Sequence, residues 1–433
     1  MIVPPDPNVQ PPVVVVPGIT ATGLEDFYPI PPEEIWSAVL TKKYERISLH
    51  PDDVRYEAIE PARVQPRALF GVIYADLVEA LRHDLSPARD RPTPVFPFAY
   101  DWRQDCARSA EQLRDFVQEV LDRSALLPHY RGKDRKPSPA LRVDLVGHSL
   151  GGLVIADYLQ RYGKERRVRR VATIGTPFEG SVDAIEKIST GMGGLTGPFP
   201  RDREREAART IPAFYQLLPS YRGVVEPDTG DPHFLFDSDT WKTWQRSVLQ
   251  TLGEYIRLHK GRIEPEDLLS QYLDVAWRHR QRLHKLKLDG VLPQGRKGWM
   301  AIVGLGAPTR IKVEARARPP RWFDFPDPVD RWSSDPTSPD TGDGTIPLAG
   351  ASPRFLVPDN LVCISPDELG ALELRDKLLT NAAGFHAALP TVNLVQRLVL
   401  RFLREDYGGD VAARRAPGVT RPDWPIPQLQ EIR

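Results

Sequence analysis

The stretch between residues 94 and 174 alternates short apolar runs with longer amphipathic segments. The runs are rich in β-branched and aromatic residues and are too short for helices, whereas the segments between them repeat apolar residues at helical spacing. Strands are predicted at Pro94 to Tyr100, Leu141 to Val146 and Val168 to Ile174. A β-α-β-α-β order of this kind favours a parallel sheet that is covered by helices on both faces.

Further elements extend this pattern toward both ends of the chain. Strands are predicted at Val13 to Val16, Trp299 to Leu305 and Asn360 to Ile364, and a closing helix at Thr391 to Leu403. Between these regions the sequence changes to mixed charge, aromatic residues and helical periodicity. We therefore predict an α/β core in two parts, residues 1–185 and 299–433, with an inserted, mainly helical cap at residues 186–298. The glycine-rich segment from Gly191 to Gly197 either hinges a lid or forms a flexible loop.

The charge balance excludes several classes of partner. Lysine and arginine number 58, as do aspartate and glutamate, so no overall field attracts nucleic acid or an anionic membrane. Any contact with a lipid surface is therefore expected to be local and transient. We expect a cytoplasmic protein without a transmembrane segment, because the first residues do not form a secretory signal and no apolar run approaches about 18 residues. Cys106 and Cys363 make no metal-binding pair and are expected to be reduced thiols.

The segment Gly147-His148-Ser149-Leu150-Gly151-Gly152 has the Gly-x-Ser-x-Gly pattern, placed directly after a predicted strand and before a predicted helix. Small residues at 147 and 151 let neighbouring backbone pass close to a tight turn. The helix that begins near Leu150 points its N–H groups and positive dipole end toward that turn. The pattern predicts that Ser149 is a nucleophile, and the alternative is a serine that only caps the helix.

A serine nucleophile needs a histidine base and a carboxylate that orients the base. In this arrangement the acid and then the histidine follow the serine along the chain. Asp343 lies in a glycine-flanked loop, and from local chemistry alone it is either the acid or a turn residue that bonds its own backbone. His386, in a short loop before the final helix, is the only later histidine, and it is either the base or a helix-start residue. His148 is expected to pack or hydrogen-bond beneath the serine.

The first predicted strand runs into Pro17-Gly18-Ile19. A loop at this place can present a backbone N–H toward the nucleophile, so the N–H groups of Ile19 and Leu150 are predicted to form the oxyanion hole. An ordinary strand-ending turn would explain the same residues.

Taken together, these segments resemble the lecithin:cholesterol acyltransferase-like family of α/β-hydrolases, which includes acyltransferases and phospholipase A-type enzymes. The resemblance spans residues 13 to 403 in pieces, and none was found between about 190 and 295. It rests on Pro17-Gly18-Ile19, Tyr100-Asp101-Trp102-Arg103, Gly147 to Gly152, Gly175 to Ser181, Gly304 to Thr309, Gly342 to Thr345, and His386.

The resemblance implies an α/β-hydrolase fold and a serine enzyme that acts on acyl esters, as a lipase, phospholipase or O-acyltransferase, through an acyl-serine intermediate. It also places Asp101, Trp102 and Arg103 beside the acyl-binding site. Asp101 and Arg103 are expected to form a charged pair and Trp102 an apolar wall, although the pair could equally anchor a structural loop.

No metal or organic cofactor is expected. Two alternatives stay open, namely a catalytically silent scaffold used for binding, and a hydrolase of a non-lipid ester or an amide. A role on lipoproteins does not transfer from the family, because the chain shows neither a secretory signal nor a suitable cysteine pair.

Overall fold

The computed structural model describes residues 9–37, 42–52, 64–132, 136, 138, 141–192, 202–316, 322–328, 341–366, 369, 384–408, 410–417, 419 and 428–430. Residues 193–197 of the glycine-rich segment lie outside these ranges, so the prediction of a lid hinge is not addressed by the structure.

The described strands fall into one large and two small sheets. In chain order they are β1 (Val13–Val16), β2 (Thr22–Asp26), β3 (Glu33–Trp36), β4 (Val64–Leu69), β5 (Val95–Pro97), β6 (Val143–His148), β7 (Val168–Ile174), β8 (Val225–Glu226), β9 (Trp299–Gly304), β10 (Val313–Arg316), β11 (Trp322–Asp324), β12 (Leu361–Ile364), β13 (Asp410–Arg415) and β14 (Gln428–Gln430).

The described α-helices range from one turn to twenty residues. They are α1 (Gly71–Asp84), α2 (Cys106–Ser124), α3 (Leu150–Tyr162), α4 (Val182–Thr190), α5 (Asp202–Arg209), α6 (Pro212–Gln216), α7 (Ser238–Trp244), α8 (Ser247–Leu258), α9 (Pro265–His284), α10 (Leu348–Ala351), α11 (Phe385–Ala388) and α12 (Asn393–Arg404).

The central sheet has the strand order β14-β13-β12-β9-β7-β6-β1-β5. The pairs from β5 to β12 are parallel, and only the pair of β12 with β13 is antiparallel. Helices α2 and α3 pack together, as do α1 and α12, and the helices cover both faces of the sheet. The all-valine strand β1 is buried along its whole length, as expected for a strand covered on two sides. The predicted α/β-hydrolase fold is confirmed.

Parallel strands bring their carboxyl ends to one edge of the sheet. The ends of β1, β6 and β7 are in register there, with Val16 opposite Gly147 and His148 opposite Ile174. Strands β9 and β12 end at the same edge, where Ile364 pairs with Gly304. The loops that follow these strands therefore meet, which is the usual position of a ligand site in a sheet of this kind.

Two small three-stranded sheets lie outside the central sheet. The sheet β3-β2-β4 leads directly into α1, and none of its strands was predicted from the sequence. The second sheet joins β8 to β10 in parallel, with Val225 opposite Val313. Helices α5 to α9 all lie within the region predicted as a cap. The predicted boundary at residue 186 falls inside α4, and the division into domains stays a prediction.

No helix in the described ranges is both long and apolar enough to span a lipid bilayer.

Candidate active site

Ser149 occupies the tight turn between β6 and α3. Its backbone has φ 51° and ψ −124°, a conformation that costs energy for a residue with a side chain and is typical of functional turns. The turn is held by two main-chain hydrogen bonds: Ser149 N–H donates to the carbonyl of Ile174 at 2.9 Å, and Gly152 N–H donates to the carbonyl of Ser149 at 3.0 Å.

The glycines around Ser149 are required by close backbone approach. A Cβ atom on Gly151 would lie 2.3 Å from the carbonyl oxygen of Val16, and one on Gly18 would lie 3.0 Å from the Cβ of Ser149. The first turn of α3 and the loop after β1 can therefore touch only because both positions lack side chains.

The structure brings Ser149, His386 and Asp343 together. The Nε2 atom of His386 lies 3.0 Å from Ser149 Oγ, and its Nδ1 atom lies 2.7 Å from Asp343 Oδ2. Because an ionised carboxylate only accepts hydrogen bonds, Nδ1–H donates to Asp343 and Nε2 is left to accept the serine proton. Ser149 and Asp343 are buried, and the His386 side chain is 13% exposed. His386 lies in the one-turn helix α11 rather than in an irregular loop.

Asp343 serves two sets of contacts. Its Oδ1 accepts hydrogen bonds from the N–H groups of Thr345 at 3.0 Å and Ile346 at 2.7 Å, while Oδ2 faces His386. The loop thus holds the carboxylate in one orientation through its own backbone. Gly304, at the end of β9, makes room for this loop, since a Cβ there would lie 2.5 Å from the Cβ of Asp343.

The environment shifts the pKa of His386. Burial alone would lower this pKa, but the charge and hydrogen bond of Asp343, with the charge of Asp183, outweigh burial and raise it above its ordinary value. A raised pKa makes the imidazole a stronger acceptor for the serine proton, since the imidazolium that forms is stabilised by the carboxylate.

A second chain of hydrogen bonds runs beneath Ser149. Gly18 N–H donates to Tyr74 Oη at 2.8 Å, and Tyr74 O–H lies 2.8 Å from His148 Nδ1. His148 Nε2 lies 3.1 Å from the main-chain oxygen of His386, so Nε2 carries the proton and Nδ1 accepts from the tyrosine. Burial, followed by the charge of His386, lowers the pKa of His148 to about 3. A neutral His148 therefore links the β1 loop to the main chain at His386.

The residues predicted for the oxyanion hole lie around the serine. Ile19 lines the same cavity as Ser149, and Leu150 begins α3 directly after it. Gly18 N–H is already committed to Tyr74. In the part of the chain that the structure describes, the N–H groups of Ile19 and Leu150 donate to no protein acceptor. Both are available to an oxygen at Ser149, but their role stays a prediction.

A cavity of about 490 Å³ opens beside Ser149 and His386. This volume falls within the range of about 300–1,000 Å³ that is usual for small-molecule sites. Its wall is mainly apolar and includes Ile19, Trp36, Phe70, Val72, Phe214 and Leu217. Of these residues only Ile19 was predicted for the site, because the side chains that share a cavity come from segments far apart in the sequence.

Asp101, Trp102 and Arg103 are buried next to one another in the loop after β5. Arg103 donates to Asp101 through Nε and Nη2, each at 2.8 Å, so the expected charged pair is present. Trp102 Nε1–H donates to the carbonyl of Thr22 at 3.1 Å, and its ring contacts that of Trp36 with centroids 5.2 Å apart. None of the three belongs to the described cavity lining. Trp102 supports the wall through Trp36, which lines the cavity, and a direct role of the three residues in substrate binding stays a prediction.

Within the described ranges, no group of three or more His, Cys, Asp or Glu side chains is placed to hold a metal ion.

The solved structures that match this chain include one from a protein complex and one of a bacterial lipase. A chain in the crystal structure of the Tle4–Tli4 complex is 16% identical to this chain, and the match covers 79% of this chain and 88% of that chain. The TM-score is 0.54, which shows a shared fold alone. The mature Bacillus licheniformis lipase BlEst2 is 15% identical, and the match covers 65% of this chain and 95% of the lipase. Its TM-score of 0.25 supports no argument. No curated protein sequence matches the chain significantly.

The family model described as Lecithin:cholesterol acyltransferase matches residues 71–298, more than half of the chain. The match continues through residues 190 to 295, where the motifs of the chain show no resemblance to the family. It includes Ser149 and ends before Asp343 and His386. The chain belongs to the lecithin:cholesterol acyltransferase family of α/β-hydrolases and is an acyl-ester hydrolase or acyltransferase.

Proposed function

We propose that this protein cleaves lipid esters through an acyl-serine intermediate, as a lipase, phospholipase or O-acyltransferase, with Ser149 as nucleophile, His386 as base and Asp343 as the orienting acid. One observation carries the proposal. The continuous hydrogen-bonded chain from Ser149 through His386 to Asp343 opens into an apolar cavity.

In the first half of the reaction, Ser149 Oγ attacks the ester carbonyl carbon while its proton passes to His386 Nε2. Asp343 stabilises the imidazolium that results. The negative charge that develops on the carbonyl oxygen is held by the N–H groups of Ile19 and Leu150. The tetrahedral intermediate then loses the alcohol, which takes the proton from His386 as the carbon–oxygen bond breaks. The acyl group remains on the serine.

In the second half, a water molecule or an acceptor alcohol gives its proton to His386 and attacks the acyl-serine. Collapse of the second tetrahedral intermediate returns the proton to Ser149 and releases a fatty acid or a new ester. Access of water to the acyl-serine decides between these products.

The cavity supports a lipid substrate rather than a small polar ester. Its apolar wall offers aromatic and aliphatic surface from Trp36, Phe70, Val72 and Leu217 next to the nucleophile, and burying an acyl chain there gains about 0.8 kcal/mol for each methylene removed from water.

We further propose that residues 186–298 act as a cap over this cavity. Lys187, Glu204, Phe214 and Leu217, all from this region, contribute to the cavity lining. A cap in this position can exclude water from the acyl-serine and shape the site for its alcohol.

The proposal is tested by labelling the purified protein with a fluorophosphonate and measuring intact mass. Wild type should gain one probe, while Ser149→Ala and His386→Ala should gain none. His83, which is 90% exposed, supplies the matched control, and His83→Ala should label like wild type. Hydrolysis of p-nitrophenyl esters should fall roughly 10³-fold or more in both site variants, and long-chain esters should be preferred to short ones.

Failure of wild type to label or to hydrolyse any ester would remove the proposed activity and leave a binding scaffold. Labelling without a preference for long-chain esters would support the three proposed catalytic residues and argue against a lipid substrate.

A further inference from the structure

Asp183 lies in the wall of the active-site cavity and neither gives nor takes a proton in the proposed reaction. It is the second residue of α4 and lines the same cavity as Ser149 and His386. Its main-chain N–H is bound by the N-cap residue Ser181, whose Oγ accepts it at 3.1 Å. The side chain is half-buried.

The carboxylate of Asp183 has no close counter-ion among the described residues. Lys187, one turn later on α4, forms an ion pair with Glu204. Arg310 is held by Glu186 at 3.0 Å. Neither hydrogen bonds nor ion pairs join the Asp183 carboxylate to a described side chain. The two neighbouring cations are thus committed to other carboxylates.

The surroundings leave this negative charge partly uncompensated. Burial, followed by the charge of Glu186, raises the pKa of Asp183 to about 7, against the smaller opposing effects of Lys187, His386 and Arg310. The charge also reaches the base, because Asp183 is among the groups that raise the pKa of His386. A cation that entered the cavity beside Asp183 would therefore stabilise its ionised form.

We propose that Asp183 selects the alcohol part of the ester by its charge, favouring an ammonium group and disfavouring an anionic group. This inference rests on the proposed function. A carboxylate that lacks a partner in a partly desolvated wall gains most from a ligand cation, which replaces the missing counter-ion. The same carboxylate repels an anion placed close to the scissile ester, so a substrate with a negative charge there binds less well.

A different explanation of Asp183 predicts other results. An acidic residue in the first turn of a helix interacts favourably with the helix dipole, typically by about 0.3–1 kcal/mol. If this were its only role, removing the charge would lower the thermal stability slightly and would not change the choice between esters.

The test compares three esters of one acid that differ only at the end of the alcohol. The first is butyrylcholine, the second is its neutral isostere with a tert-butyl group in place of trimethylammonium, and the third carries a sulfonate at that position. The ratios of kcat/KM are measured for wild type, Asp183→Asn and, as a matched control for the loss of one negative charge, Asp115→Asn on the exposed side of α2. Because an ammonium group also makes choline a better leaving group, the informative quantity is the change in ratio between proteins.

The ratio of kcat/KM for the cationic ester to kcat/KM for the neutral ester should be about tenfold larger in wild type than in Asp183→Asn. This is the size expected for one charge pair in a partly screened site. The sulfonate ester should improve in Asp183→Asn, and Asp115→Asn should behave as wild type. In wild type the preference should shrink from about pH 8.5 to about pH 6, since the carboxylate becomes protonated across this interval.

Equal ratios in wild type and Asp183→Asn would overturn the proposal, as would a wild-type ratio that is constant with pH, a measurement that needs no variant. Turnover of the neutral ester by wild type, with fluorophosphonate labelling, reports on the proposed function separately. If wild type turns over the neutral ester and is labelled, but the ratios are the same in Asp183→Asn, only the charge selection is refuted. If wild type shows neither turnover nor labelling, both proposals are refuted.

Discussion

Tyr74 connects the loop after β1 to the nucleophile turn, and replacing it with phenylalanine tests that connection. The substitution removes one oxygen and leaves the ring in its buried place on α1. Two hydrogen bonds of 2.8 Å are lost, one from Gly18 N–H to the hydroxyl and one from the hydroxyl to His148 Nδ1. Both bonds are buried, so water cannot readily replace the lost partner.

The expected magnitude follows from these two groups. A buried N–H left without an acceptor costs about 1–3 kcal/mol, and His148 Nδ1 loses its donor as well. We expect the free energy of unfolding to fall by about 2–4 kcal/mol, which a folded domain of ordinary stability survives. Gly18 is then free to move, and Ile19 moves with it. Since loss of one oxyanion donor lowers kcat by about 10²–10³, partial displacement of the Ile19 N–H should lower kcat by roughly tenfold to a hundredfold.

The assay measures kcat and KM for a long-chain p-nitrophenyl ester together with the midpoint of thermal unfolding. Tyr130→Phe is the matched control, because it also removes one tyrosine hydroxyl, which donates to the carbonyl of Gln10 at 2.7 Å, in a residue outside the described cavity lining. The control should lose a little stability and keep its kcat. If Tyr74→Phe kept wild-type kcat, or lost no more stability than the control, the hydrogen bonds beneath Ser149 would not position the site as argued.

Two further changes bear on the base and on the turn. His386 must be neutral to accept the serine proton, and its pKa is raised, so kcat/KM should decline as pH falls through a value above the ordinary pKa of about 6.5. Asp343→Asn should move this decline to lower pH and reduce kcat by about 10⁴. An unchanged pH profile in this variant would show that Asp343 does not act on the base. Gly151→Ala would bring a Cβ within 2.3 Å of the Val16 carbonyl oxygen, so we expect a loss of about 1–3 kcal/mol in stability and a larger fractional loss of kcat than of binding. Gly253→Ala in α8, where the nearest atom is 3.5 Å away, is the control, and equal effects of the two substitutions would refute the close approach as the cause.

The strands of the central sheet were largely predictable. Strands β1 and β7 begin and end at the predicted residues, Val13 to Val16 and Val168 to Ile174. A strand covered on both faces is a continuous apolar run, and such a run is visible without any knowledge of its neighbours. Strand β4 was missed because Val64-Gln-Pro-Arg-Ala-Leu69 alternates in no clear way and is only partly buried. Its extended form depends on pairing with β2, which lies about forty residues earlier.

The candidate site was predictable to a different degree at each residue. Ser149 could be singled out because its turn imposes local demands, namely small residues on either side and a strand and helix around it. Asp343 was left between two interpretations, and the structure shows that its carboxylate makes both kinds of contact. Tyr74 carried no signal at all, since it lies 56 residues from Gly18 and 74 residues from His148 along the chain.

The sequence by itself determined the parallel α/β core, the serine turn and the order of the three candidate triad residues, because apolar runs, glycines and chain order are properties of short segments. Only the tertiary structure decided which side chains share the cavity. Contacts such as Ser149 with His386, 237 residues apart, depend on the order of strands in the sheet and on their register, which bring loops from distant parts of the chain to one edge. The carboxylate of Asp183 likewise has no ion pair of its own in the described residues because Lys187 and Arg310 pair with other carboxylates.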